Sequence, residues 1–197
     1  MITLDELSNA VYEDLNGHII EVSTRDDAVH LLFECDDWTN TASTRATGRR
    51  RFDLRFHEVA ECTATPSATG IIQVADEHPL LWNHNDEHVS MFFSSSPANP
   101  FELFGQLCVA HGQLFKGWRP VGDYLHAGPR LMHDGYGLFA QGPRRAVEEY
   151  QRIVEGKLRY SIIHGYRPHG GYKAVLFDTC YVICRSDSAT EIEPDTA

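Results

Sequence analysis

The sequence predicts an α+β fold, a mainly antiparallel sheet with about three helices packed against it. Three observations carry that expectation. Segments rich in β-branched and aromatic residues follow one another in runs instead of alternating regularly with helices, which disfavours a parallel βαβ array. Residues 50–57, RRFDLRFH, alternate strictly, with Phe52, Leu54 and Phe56 on one side and Arg51, Asp53 and Arg55 on the other, as in a strand with one solvated face. Two longer stretches carry apolar residues at helical spacing between recognisable start and stop signals.

The first element is a helix. Thr3 and Glu6 have the spacing of a capping box, Leu4, Leu7, Val11 and Leu15 recur on one face, and Asn16-Gly17 supplies a stop. HIIEVS and AVHLLFEC then read as two strands of a hairpin turned by TRDD, and a polar loop runs from Asp36 to Gly48. RRFDLRFH, GIIQVAD and HVSMFFSSS are further strands, with EHPLLWNHNDE connecting the last two. Asn99-Pro100-Phe101-Glu102 has a cap, a first-turn proline and an N3 carboxylate, so a buried helix is predicted over 101–116 with Leu103, Leu107, Ala110 and Leu114 inward and Gly117 as its stop. GYGLFAQ reads as a strand, and Pro143 opens a helix carrying Val147, Tyr150, Ile153 and Val154. LRYSII, KAVLFD and CYVICRS complete the strands. Residues 1–185 are expected to form a single α+β domain, and 186–197, acidic and without aromatics, an acidic flexible tail.

Composition narrows the function classes. With 42% hydrophobic and 23% charged residues, 197 residues can close a core without staples. The apolar runs are far shorter than the ~20 residues of a spanning helix, and the start MITLDELSNA carries acid where a secretory signal carries base, so no membrane partner and a cytoplasmic location are expected. Five cysteines, an odd number without a CxxC spacing, suggest reduced thiols in keeping with that compartment. Charge is unevenly placed. Residues 1–40 hold ten acids against the single base Arg25, residues 186–197 hold four acids and no base, and the middle, with fourteen acids and sixteen bases, is close to neutral.

Few motifs carry chemistry. His57-Glu-Val-Ala-Glu61 lacks the second histidine of a zincin and follows a strand pattern, and GYGLFAQG lacks the dinucleotide-binding spacing. His84 and His88, with His78, Asp86 and Glu87 nearby, have the residue types of a metal site but no diagnostic spacing. In HGYRPHGGY, His164, Arg167 and His169 have the chemistry to hold a phosphate or carboxylate on a glycine-rich loop, whose plainer role is a turn. His111 sits on the apolar face of the central helix, where a histidine is usually satisfied by a core hydrogen bond. Arg45, Arg49, Arg50 and Arg51 crowd one segment. In a chain of net charge −11 they are expected to pair with neighbouring acids and not to bind nucleic acid.

The acidic first third is the strongest signal. Glu34, Asp36 and Asp37 beside Trp38 suit recognition of a basic protein, the acids steering encounter and the indole anchoring the contact. The expected function is a non-enzymatic binding protein that recognises a basic partner, as an immunity protein neutralises a toxin domain; that comparison rests on composition alone. The alternative is a small-ligand or metal-binding enzyme using the His/Arg-rich loops 77–88 and 164–172. No cofactor is expected, and oligomeric state is not set by the sequence.

Overall fold

The computed structural model describes residues 3–10, 16–37 and 48–192. They form five α-helices and twelve strands, and every strand pairing is antiparallel. The mixed α+β class is as the strand runs predict. The strands build three sheets, and the chain gathers into two compact units, Met1–Glu77 with Tyr172–Ala197 (unit 1) and His78–Gly171 (unit 2). The sequence pattern suggests one domain; the structure shows two units, each with its own apolar cluster, the second inserted in the chain of the first.

Unit 1 begins with α1 (Leu4–Ala10), held at its start by the capping box: the Thr3 N–H donates to Glu6 Oε2 at 2.8 Å and the Glu6 N–H to Thr3 Oγ1 at 3.1 Å. Val11 and Leu15 lie outside the described residues. β1 (Gly17–Arg25) and β2 (Ala28–Asp36) form the predicted hairpin, turned by Asp26 and Asp27 with φ of 49° and 59°. Two successive left-handed residues make the turn whose twist matches paired strands, and aspartate tolerates that region better than most side chains. β3 (Arg49–His57) pairs with β2 along its whole length. β4 (Glu61–Cys62), β5 (Ser67–Thr69) and β6 (Gln73–Ala75) are short, and only the end of the predicted GIIQVAD strand is extended.

Chain return adds β10 (Lys173–Leu176), β11 (Tyr181–Cys184) and β12 (Ser186–Ile192). The larger sheet has the order β12-β3-β2-β1-β5 and the smaller β4-β11-β10-β6. Leu31, Phe33, Phe52, Leu54 and Phe56 of the first cluster with Val175, Val182 and Cys184 of the second, so one face of each sheet is buried. The expected tail over 186–197 is corrected in its first seven residues. Ser186–Ile192 is an edge strand paired with β3, and Ala189 is fully buried opposite Leu54.

Unit 2 contains α2 (Trp82–Asn85) after a 3-10 turn at Pro79–Leu81, then β7 (His88–Phe93), α3 (Pro100–Phe115), α4 (Pro129–Asp134), β8 (Gly137–Pro143), α5 (Arg144–Val154) and β9 (Tyr160–His164). The sheet order is β8-β7-β9. Asn99 caps α3 by accepting from the Glu102 N–H, Pro100 opens it, and Leu103, Leu107, His111 and Phe115 form its buried stripe. Val147, Tyr150 and Val154 of α5 join the same cluster with Val89, Met91 and Phe93 of β7.

Candidate functional site

The acids singled out by charge lie on the outer face of β2, and the alternation of β3 determines what they meet. Register puts Glu34 opposite Arg51 and Asp36 opposite Arg49. Arg49 donates to Glu34 and, at 2.9 Å, to Asp36, while Arg51 donates to the other Glu34 oxygen at 2.6 Å. The Arg51 and Arg49 hydrogen bonds hold the Glu34 carboxyl below its ordinary range against the opposing effect of burial. Asp37 continues the edge, its N–H donating to the Gly48 carbonyl at 3.1 Å. Trp38 lies outside the described residues. Glu34 and Asp36 are thus bound to arginines across the ladder, and the crowding of Arg49, Arg50 and Arg51 has the same explanation, since Arg50 grips Glu191 through two hydrogen bonds of 2.7 Å. Arg45 is not among the described residues.

Further along that face, His30 and Asp53 line a concavity of 240 Å³ with Glu21, Ser23, Arg25, Leu32 and Ile192, and Asp53 is bound by His30 and by Arg55. Burial works to raise the Asp53 carboxyl, but hydrogen bonds from Arg55 and His30 overcome it and leave the group below its usual range. The titratable groups that line the concavity already pair with one another, Glu21 with Arg25 and Asp53 with His30.

The alternative loop is held differently from the way its composition suggests. His164 ends β9, where Nδ1 lies 2.9 Å from Glu87 Oε1 and 2.7 Å from Arg144 Nη2. With its proton on Nε2 the ring accepts from Arg144; protonated at Nδ1 it donates to Glu87. Arg144 also binds Glu87 at 2.6 Å and holds that carboxyl low, with His164 adding to the effect. Arg167 and His169 are exposed, and neither has a hydrogen bond or ion pair among the described residues. Gly170 and Gly171 take φ of 71° and 80°, so the loop requires glycine for its turn. The structure therefore joins His164 to Glu87 and Arg144 and not to Arg167 and His169.

His84 lies in the last turn of α2 and His88 at the start of β7. His88 Nε2 lies 2.9 Å from the Asn83 carbonyl, to which it donates, and its ring stacks on Tyr166 at 4.5 Å. Among the described residues no group of three or more histidines, cysteines or carboxylates has the geometry to hold a metal ion. His111 is the satisfied core histidine its position suggests. It is 4% exposed, Nε2 donates to the Arg119 carbonyl at 2.8 Å, and Nδ1 accepts from the Tyr150 hydroxyl at 2.7 Å. Burial raises the Tyr150 phenol further above its ordinary value, so it stays a donor.

What the residue-by-residue reading misses is the division of charge between the units. Unit 1 holds 20 acids and 8 bases, a net −12; unit 2 holds 8 acids and 9 bases, a net +1. The acidic ends of the chain were visible, but only the return of the final strands to the first sheet places both ends in one unit. The chain matches no family model, no curated protein and no solved structure. No helix among the described residues is long and apolar enough to cross a membrane.

Proposed function

We propose that this chain is a non-enzymatic binding protein whose acidic unit 1 recognises a basic partner protein, in the manner of an immunity protein that neutralises a toxin domain. The observation that carries the reading is how unit 1 disposes of its cations. Each of its seven described bases, Arg25, Arg49, Arg50, Arg51, Arg55, Lys173 and Arg185, is already bound to a carboxylate. Asp26, Asp27 and Asp76 are exposed and have no such partner among the described residues. A surface with its cations neutralised presents the field of the acids left over, and such a field raises the encounter rate with a basic protein.

Because Glu34 and Asp36 are bound to arginines, the recognition acids in this reading lie at the tip of the β1–β2 hairpin. Asp26 and Asp27 project there on a turn that asparagine also adopts readily, so Asp26→Asn with Asp27→Asn removes two charges and leaves the backbone conformation in place. The test is capture of partners from native lysate, followed by association kinetics of the purified basic partner at two salt concentrations. The expected result is an association rate that falls with salt, and falls less steeply for the double asparagine variant. Association independent of salt, or capture of neutral and acidic proteins alone, would rule the reading out.

A further inference from the structure

We infer that α3 is a self-association surface, its exposed face packing antiparallel against the same face of a second copy of this chain. The face consists of Phe101, Gly105, Val109 and Gly112. At about 100° per residue these four fall within about 80° of arc, beside and not within the buried stripe. Phe101 is 79% exposed and Val109 61%. A large aromatic and a β-branched residue so placed do nothing for the fold of their own chain.

The glycines are the second observation. Glycine is the poorest helix former after proline, and two of them sit inside this 16-residue helix. A Cβ built at Gly105 or Gly112 would meet no atom within 4 Å, so no neighbour in the described chain requires glycine at either position. Open glycines on an exposed helix face are holes for a partner's side chains.

Phe101 and Val109 have the spacing to fill those holes in a second copy. If two copies of α3 cross antiparallel about a two-fold axis near residue 107, Phe101 of each lies opposite Gly112 of the other. Val109 of each lies opposite Gly105 in a register shifted by one residue, about 1.5 Å along the axis. A single crossing thus brings each large residue to within one residue of a facing glycine, the self-complementarity that a two-fold interface demands. The flanks agree in charge. Glu102 comes about one turn from Lys116 of the other copy, within side-chain reach, and that ammonium binds no carboxylate among the described residues. The antiparallel crossing also aligns the two helix dipoles favourably. Unit 2 itself carries only +1, so it brings no large like charge of its own to the contact. One helix pair about 24 Å long buries less than the ~1,200 Å² typical of stable complexes, so the dimer is a weak one, micromolar and not nanomolar.

Sedimentation equilibrium of the full chain, from about ten micromolar to about one millimolar, reads this directly. The average mass is expected to rise with concentration from 22.3 kDa toward twice that value. Phe101→Asp should hold it at the monomer throughout, with an unchanged denaturation midpoint. Gly105→Ala with Gly112→Ala separates interface from fold, because the two effects have opposite signs. Filling the holes should weaken dimerisation tenfold or more, while the better helix former raises the denaturation midpoint. A mass that stays monomeric at the highest concentration overturns the inference, as does a dimer indifferent to Phe101→Asp or to the two alanines. Basic-partner binding by unit 1 is measured on other residues and can fail or hold independently.

Discussion

Glu34 is the residue on which the β2–β3 face turns. Its two oxygens separately bind Arg49 and Arg51, and its side chain is only 15% exposed. Glu34→Gln removes the charge, keeps one acceptor oxygen and sets an amide donor against the other guanidinium, so it should cost about 1–2 kcal/mol at neutral pH. The pH dependence follows from the direction of the shift. A carboxyl whose folded pKa is depressed contributes stability that is fully present above its unfolded value, about 4.3, and is lost as pH falls through the folded value. Asp53 and Glu191 are depressed in the same sense, Asp53 despite its burial and Glu191 chiefly through Arg50. The urea midpoint should therefore be level with respect to these groups above about pH 5 and fall below about pH 4, with a shallower fall in Glu34→Gln. Equal acid slopes in the two proteins would show that the ladder contributes nothing. Charge sign was legible at Glu34, Asp36 and Asp37, as was the tendency of the arginine run to pair with acids; which acid meets which arginine was not, because that depends on the register of strands separated by a loop.

Elements with local signals were legible and elements defined by their neighbours were not. The hairpin over β1 and β2 and helix α3 carry their own turn and cap residues, Asp26-Asp27 and Asn99-Pro100, and both are where the pattern places them. β12 has no such signal. SDSATEI is polar, with Ala189 as its single fully buried residue, and its composition resembles a solvated tail. Tertiary pairing decides it: seven residues align with β3, Glu191 binds Arg50, and Asp187 binds Lys173. Without this strand β3 becomes a sheet edge and the Leu54 side loses its cover. A chain ending at Arg185 should accordingly lose the cooperative unfolding of unit 1 and tend to aggregate, and Ala189→Asp should destabilise the intact chain by roughly 3 kcal/mol or more through a buried unpaired charge. Urea titration followed by circular dichroism checks both. A truncated chain as stable as the full one would restore the tail reading.

At the scale of the whole molecule, the cysteines and the charge report on the units separately. Cys35, Cys180 and Cys184 are buried in unit 1, Cys62 is exposed there, and Cys108 is half-buried on α3 of unit 2. Burial pushes the Cys35 and Cys184 thiols up to about 12 and raises Cys180 as well. Because the thiolate is the nucleophile, near pH 8 the first two should react roughly a thousandfold more slowly than an ordinary thiol on thiolate fraction alone. A coloured disulfide reagent should therefore find Cys62 quickly, Cys108 more slowly, and the other three only when unit 1 opens. Their unmasking in urea then measures the stability of the acidic unit. Unit 1 carries −12 and repels itself over distances comparable with the Debye length, about 10 Å at 0.1 M salt, whereas its close, partly buried ion pairs are screened much less. Raising sodium chloride from about 20 mM to about 300 mM should thus shift the unmasking of Cys35, Cys180 and Cys184 to higher urea, and the shift should be smaller in Asp26→Asn with Asp27→Asn. If salt instead lowers that midpoint, the short-range ladder around Glu34 outweighs the net charge, and the surplus acidity of unit 1 is not the dominant field at its surface.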